Sequence, residues 1–124
     1  MLAISDPREA YQRVEFDARV KGAEPAELVH VCYDQLILAL STAIIAEERG
    51  DAQLKSRSLT RALTSIMALQ LGIDHRQSMA EVLLQFYGSA RKAILASSVA
   101  FDASTLRAVR DDFLDIRDAL ITAG

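Results

Sequence analysis

The stretch PAELVHVCYDQLILALSTAIIAEE, residues 25 to 48, decides the fold. Advanced by about 100° per residue from Val29, Tyr33, Leu36, Leu40, Ala43 and Ile44 fall within about 60° of one line. That is the core stripe of a long amphipathic helix. On the same wheel Val31, Leu38 and Ile45 stand at about 160 to 200°, one heptad apart. A single neighbouring layer cannot cover both sets. Either the helix is sandwiched inside a bundle, or its second stripe awaits a partner.

Working outward, the whole chain has 124 residues, 51% of them hydrophobic. That length suits one domain able to bury roughly two thirds of its unfolded surface. Two prolines, five glycines, 6% aromatics and no tryptophan suit helices better than strands. The formal charge of -3 gives no electrostatic footprint for nucleic acid or an anionic membrane surface. No apolar run approaches the roughly 18 residues of a spanning helix. The N-terminus MLAISDPREA lacks the positive-then-apolar plan of a signal peptide, so a cytoplasmic protein is expected. Cys32 stands alone, which leaves no internal disulfide framework and makes it a small buried hydrophobe.

Helix punctuation divides the chain further. Ser5 or Asp6 with Pro7 and Glu9 starts an N-terminal helix carrying Tyr11, Val14 and Ala18, which Gly22 ends. Gly50 and Asp51 close the long helix and permit a tight reversal. Leu59, Ala62, Leu63 and Ile66 form one face of the next helix, which Gly72 stops. Ser78 with Glu81 reads as a capping box, with Asp74 as a start one turn earlier. Met79, Leu83, Phe86, Tyr87, Ala90 and Ile94 then share a face, while Leu84 and Leu95 sit together to one side of it. Asp102 or Ser104 caps a last helix in which Leu106, Val109, Phe113, Ile116 and Leu120 recur at 3, 4, 3 and 4, the seam of antiparallel bundle packing. The expected architecture is all-α: one domain over residues 1–124, an antiparallel up-down-up-down four-helix bundle over 25–121, and an additional short N-terminal helix or mobile cap over 1–22.

Chemistry-bearing constellations are sparse. Glu27 and His30 form an E-x-x-H pair, but a carboxylate-bridged metal site needs a second such pair and two more inward carboxylates. A histidine phosphotransfer bundle needs an exposed helical His. His30 lacks the usual neighbours for that role, and His75 falls in a turn. There is no glycine-rich phosphate loop and no matched nucleophile and base set. No catalytic residue, metal ligand or cofactor site is assigned.

Several elements together resemble the FliS family, the flagellin-specific export chaperones of bacteria: Ala10-Tyr11-Gln12, EPAELV at 24 to 29, Tyr33-Asp34, the Gly50-Asp51 turn, RAL at 61 to 63 and IRDAL at 116 to 120. Family members usually carry Ser or Thr where Glu24 stands, and an aromatic-rich LYDYM-type segment where this chain has FYGSA at 86 to 90. The resemblance implies a type III secretion chaperone that holds the disordered C-terminal segment of flagellin in apolar grooves, prevents premature polymerisation and supports export. It also implies contact with the flagellar export apparatus, and an N-terminal segment that covers the groove and moves aside for the client.

Combined with the wheel, these expectations place the client groove at Val31, Asp34, Leu38, Ile45, Leu84 and Leu95, and the cap at Tyr11 and Gln12. Tyr11 can equally be a fixed core cap, and Asp34 a solvated carboxylate. With more apolar helix surface than one core can hide, the client-free chain either masks its groove or forms a homodimer. A helical adaptor for another amphipathic segment, and the phosphotransfer module, stand as alternative readings.

Overall fold

The computed structural model describes residues 27–123. Four helices follow one another: α1 (Leu28–Glu48), α2 (Ala52–Leu71), α3 (Ala80–Val99) and α4 (Ala103–Ala123), with no strand among the described residues. The expected N-terminal helix, the start of the long helix at Pro25, and Tyr11 and Gln12 all lie outside them.

Each helix boundary has a local cause. Gly50 takes φ +69°, the left-handed conformation that glycine adopts without steric cost. Its N–H donates to Glu47 O at 3.1 Å while that of Asp51 reaches Ala46 O at 2.9 Å, so the carbonyls at the end of α1 are satisfied in a Schellman turn. Asp51 then caps α2, accepting from Leu54 N at 3.0 Å. Two residues thus end one helix and begin the next. Gly72 closes α2 through its bond to Ala68 O.

The capping box read at Ser78 and Glu81 does not form. Asp74 instead accepts from Arg76 N at 3.0 Å and pairs with the guanidinium, turning the connection locally. The helix starts at Ala80, with Met79 at the cap position and no side-chain cap bond. Asp102 does cap α4, accepting from Thr105 N at 3.2 Å and Thr105 Oγ1 at 2.9 Å. Those bonds hold its carboxyl below the usual range.

The four helices close a ring in which α1 and α3 each pack on α2 and α4. Glu48 at the end of α1 meets Arg107 at the start of α4 at 3.6 Å, and Asp34 near the start of α1 meets Arg117 near the end of α4 at 2.8 Å. The two helices are therefore antiparallel, and the short connections reverse the chain between the others.

The seams differ. Cys32, Ala39 and Ala46 repeat every seven residues along buried α1, as Ser58 and Ser65 do along α2. Small side chains let helix axes approach, and α1 packs most extensively on α2. The α3–α4 seam is the least extensive.

Contrary to the sequence expectation, α1 is long and apolar enough to cross a membrane by length and composition, because its few polar residues are spread thinly along it. Tyr33, Leu36, Leu40 and Ala43 are nevertheless fully buried against the other helices, as in the core helix of a bundle.

At the centre, Tyr33 Oη lies 2.9 Å from Tyr87 Oη, both buried. The Phe113 ring stands edge-on to Tyr33 at 5.2 Å and stacks on Tyr87 at 6.0 Å, while Phe86 tilts against Phe113 at 4.7 Å. The knot joins α1 to α3 across the bundle diagonal. Burial pushes both phenols above their ordinary range; the mutual hydrogen bond offsets part of the rise at Tyr33 and adds to it at Tyr87.

Two predictions follow from this framework. No atom lies within 4 Å of a Cβ built on Gly50, so Gly50→Ala is expected to cost only its backbone strain, about 1 kcal/mol. Gly88, inside α3, has room for a methyl beside Gln70 Nε2 at 4.0 Å, so Gly88→Ala should stabilise by about 0.5 to 1 kcal/mol; urea melts will show opposite signs. In the second, a raised phenol pKa favours the neutral form in the fold, so this contribution is whole below about pH 10 and is lost as pH climbs toward the folded values. Of the three tyrosines, at least two should then form tyrosinate only as helical circular dichroism disappears. Tyr33→Phe/Tyr87→Phe should keep its helicity to higher pH; ionisation of all three tyrosines with helicity intact would contradict this burial.

Candidate functional site

Among the described residues nine large apolar side chains are exposed: Val29, Leu38, Ile45, Leu71, Met79, Val82, Leu95, Val99 and Leu120. Their distribution is uneven, and it defines the surfaces able to bind a partner.

The first surface is the outer face of α1. Leu38 is 61% exposed and Ile45 43%, one heptad apart on the side turned from the core. Val31, expected with them, is half-buried and packs against the core edge. Asp34 and Glu48, at the two ends of this face, are tied to Arg117 and Arg107 of α4. Asp34 therefore fastens α1 to α4. At 62% exposure such a pair contributes little stability, but it fixes where the carboxylate sits.

The second surface is a flank of α3. Leu84 is half-buried and Leu95 is 43% exposed; eleven residues apart, they return to within about 20° of one another. Gly88, between them, faces Gln70 of α2, so this flank lies along the α2 side. Because α1 and α3 occupy diagonal corners of the ring, the structure does not gather Val31, Asp34, Leu38, Ile45, Leu84 and Leu95 into one groove. It places them on separate faces.

A third surface escaped the sequence reading. Val29, Met79 and Leu120 were assigned to core faces, yet all three are exposed. Together with Leu71 and Val82, they fall in the terminal turns where α1 and α3 begin and α2 and α4 end. Helical periodicity extends to the last turn, but the neighbouring helices do not. At this end a cavity of about 310 Å³ opens between all four helices. Leu28 and Cys32, Ala68 and Leu69, Leu83 and Ile116 form apolar walls, Tyr33 and Tyr87 line it, and Asp74 and Gln77 border it from the connection between α2 and α3. The signal was available in principle: in an antiparallel bundle these terminal turns must meet.

The opposite end is mainly ionic, although Val99, at the end of α3, is 91% exposed there. Lys55 Nζ lies 2.7 Å from Glu47 Oε1 and 5.2 Å from the Phe101 ring centroid, beside the Arg107–Glu48 pair. Apolar surface is thus concentrated at one end and on two flanks.

Little here suits chemistry. Burial pushes the Cys32 thiol up to about 12, which leaves it protonated and unreactive near neutrality. Among the described residues no three His, Cys, Asp or Glu side chains cluster as a metal site. His30 is half-buried on α1, and His75 is exposed in the turn before α3. What the described residues present to a partner is distributed apolar surface.

Comparison with known proteins agrees. The profile of the family described as "Flagellar protein FliS" matches residues 7–123. The "Flagellar secretion chaperone FliS" of Salmonella typhimurium (strain LT2) is 26% identical over 113 residues, which cover 89% of this chain and 84% of that protein. With an all-helical bundle, exposed apolar faces and a family match spanning almost its whole length, the chain belongs to the FliS family of flagellar secretion chaperones.

Proposed function

We propose that this chaperone acts in the cytoplasm by binding the C-terminal segment of flagellin, keeping it from polymerising before export. The observation that carries the reading is the unpartnered stripe of Leu38 and Ile45 on α1, opposite a fully buried core stripe. A large apolar side chain left in water gives up about 1.5 to 3 kcal/mol that burial would return, and an amphipathic client segment supplies that burial. Val31 and Asp34 flank the same stripe, while Leu84 and Leu95 offer a second contact around the bundle.

Because these faces are separate, the client runs around the bundle in more than one segment. Such a client is flexible before binding; ordering it costs free energy, which an extended contact surface offsets. When the client is absent, residues 1–22 carrying Tyr11 and Gln12 cover part of this surface, or two copies pair through it. The loaded complex then engages the flagellar export apparatus.

The test compares two leucines two positions apart. Leu38→Asp should leave the bundle folded but weaken binding of a flagellin C-terminal peptide by at least about 2 kcal/mol, by burying an unpaired charge in the complex. Leu36 is fully buried, so Leu36→Asp should unfold the chain or sharply lower its thermal midpoint. Unchanged peptide affinity in folded Leu38→Asp places the groove elsewhere. The mask is tested separately: removing residues 1–22 should increase hydrophobic-dye binding or the dimer fraction at constant helicity, and no change in either removes it.

A further inference from the structure

The cavity at the apolar end has one polar feature with incomplete bonding. Tyr33 and Tyr87 are 0% and 3% exposed, and their oxygens share a single hydrogen bond of 2.9 Å. Two phenols carry two O–H donors. One proton lies between the oxygens; the other has no acceptor among the described residues. A buried donor without an acceptor is costly, and both tyrosines line the cavity.

The size of the space limits what can complete that bonding. At about 310 Å³ it exceeds the roughly 150 Å³ of an apolar cavity that holds benzene and stands at the lower bound of small-ligand pockets, about 300 Å³. One ring or branched aliphatic group fits. Val29, Leu71, Met79, Val82 and Leu120 lie exposed at the same end, five of the nine large exposed apolar side chains among the described residues. A free small molecule inside the cavity would leave that rim in water. A polypeptide that inserts one side chain and lies across the end covers both.

We propose that the bundle-end cavity is an anchor pocket for a partner polypeptide, which inserts an apolar side chain and presents a neighbouring carbonyl oxygen to the spare O–H of the Tyr33–Tyr87 pair. The assignment rests on the chaperone reading above for the partner's source, the client's amphipathic segment, and adds a contact that neither flank supplies. The phenol pair makes the pocket selective for an apolar group accompanied by an acceptor.

The test uses the full chain and Tyr33→Phe/Tyr87→Phe, which removes both hydroxyls and keeps both rings. Replacing two bonded polar groups by apolar ones of the same shape is close to neutral for folding, and the thermal midpoint verifies this. Acetophenone and isopropylbenzene, nearly equal in shape, probe the cavity by titration: one has a carbonyl and the other none. In the double variant, acetophenone affinity is expected to fall by about threefold to tenfold, the equivalent of one hydrogen bond, while isopropylbenzene is unchanged or tighter. Affinity for the flagellin C-terminal peptide should fall by a similar factor.

Equal loss of both probes, or no loss of acetophenone, overturns the acceptor requirement. Unchanged peptide affinity overturns the partner assignment while leaving the chaperone reading intact, whereas a peptide that fails to bind the parent protein overturns both. If Tyr11→Ala tightens acetophenone binding while peptide affinity is indifferent to the phenols, the chain's own leader fills the cavity and the partner assignment falls.

Discussion

The hydrogen bond between Tyr33 and Tyr87, with the Phe113 ring packed on both, ties helices that are otherwise diagonal in the ring. Ridges-into-grooves packing positions neighbouring helices well but leaves opposite corners free to slide. The packed rings limit that freedom, and separating the hydroxyls would add a second unsatisfied donor to the one the pair already carries. Everything outward of the knot, including the stripe on α1 and the flank of α3, inherits its register.

Within that frame, packing is distributed unequally, and the inequality bears on binding. The small residues along α1 and α2 make a seam with little room for a side chain to enter. The α3–α4 seam is the least extensive, and Phe86, Val109 and Ile116 on those two helices are only half-buried. One end is crossed by the Gly50–Asp51 turn and ion pairs, with Val99 its exposed apolar residue; the other ends in apolar terminal turns around a cavity. A bundle optimised only for stability would close both ends alike. This one leaves apolar surface at an end and on two flanks, where a partner can reach it without disturbing the tight seam.

Much of the fold was legible because it is written in local chemistry. Gly50 and Asp51 announced a reversal through glycine's access to positive φ and aspartate's capping oxygen, and both act as read. Tyr33, Leu36 and Leu40 were identified by period alone, since a mid-helix stripe has neighbours along its whole length. Period failed where neighbours stop: Val29, Met79 and Leu120 obey the same spacing yet lie at an open end. The Ser78 cap was lost to a competing local bond, because Asp74 and Arg76 turn the connection first. The Asp34–Arg117 pair, 83 residues apart in the chain, has no local signature. Nor does the Tyr33–Tyr87 bond; each tyrosine reads as a core aromatic until the diagonal brings the hydroxyls together.

The separation of the apolar faces sets the character of any complex they make. A single deep groove would concentrate affinity in one contact and release its occupant in one slow step. Separate patches bind a flexible chain most tightly when engaged together, since the first contact raises the effective concentration of the next. Such a complex can be dismantled contact by contact. Release from one patch costs a fraction of the total, and the freed segment is available to another receptor while the rest remains held. For a client of the kind proposed, to be covered and then surrendered, separate faces on a rigid bundle satisfy both demands, and the rings of Tyr33, Tyr87 and Phe113 packed across the diagonal hold those faces in register.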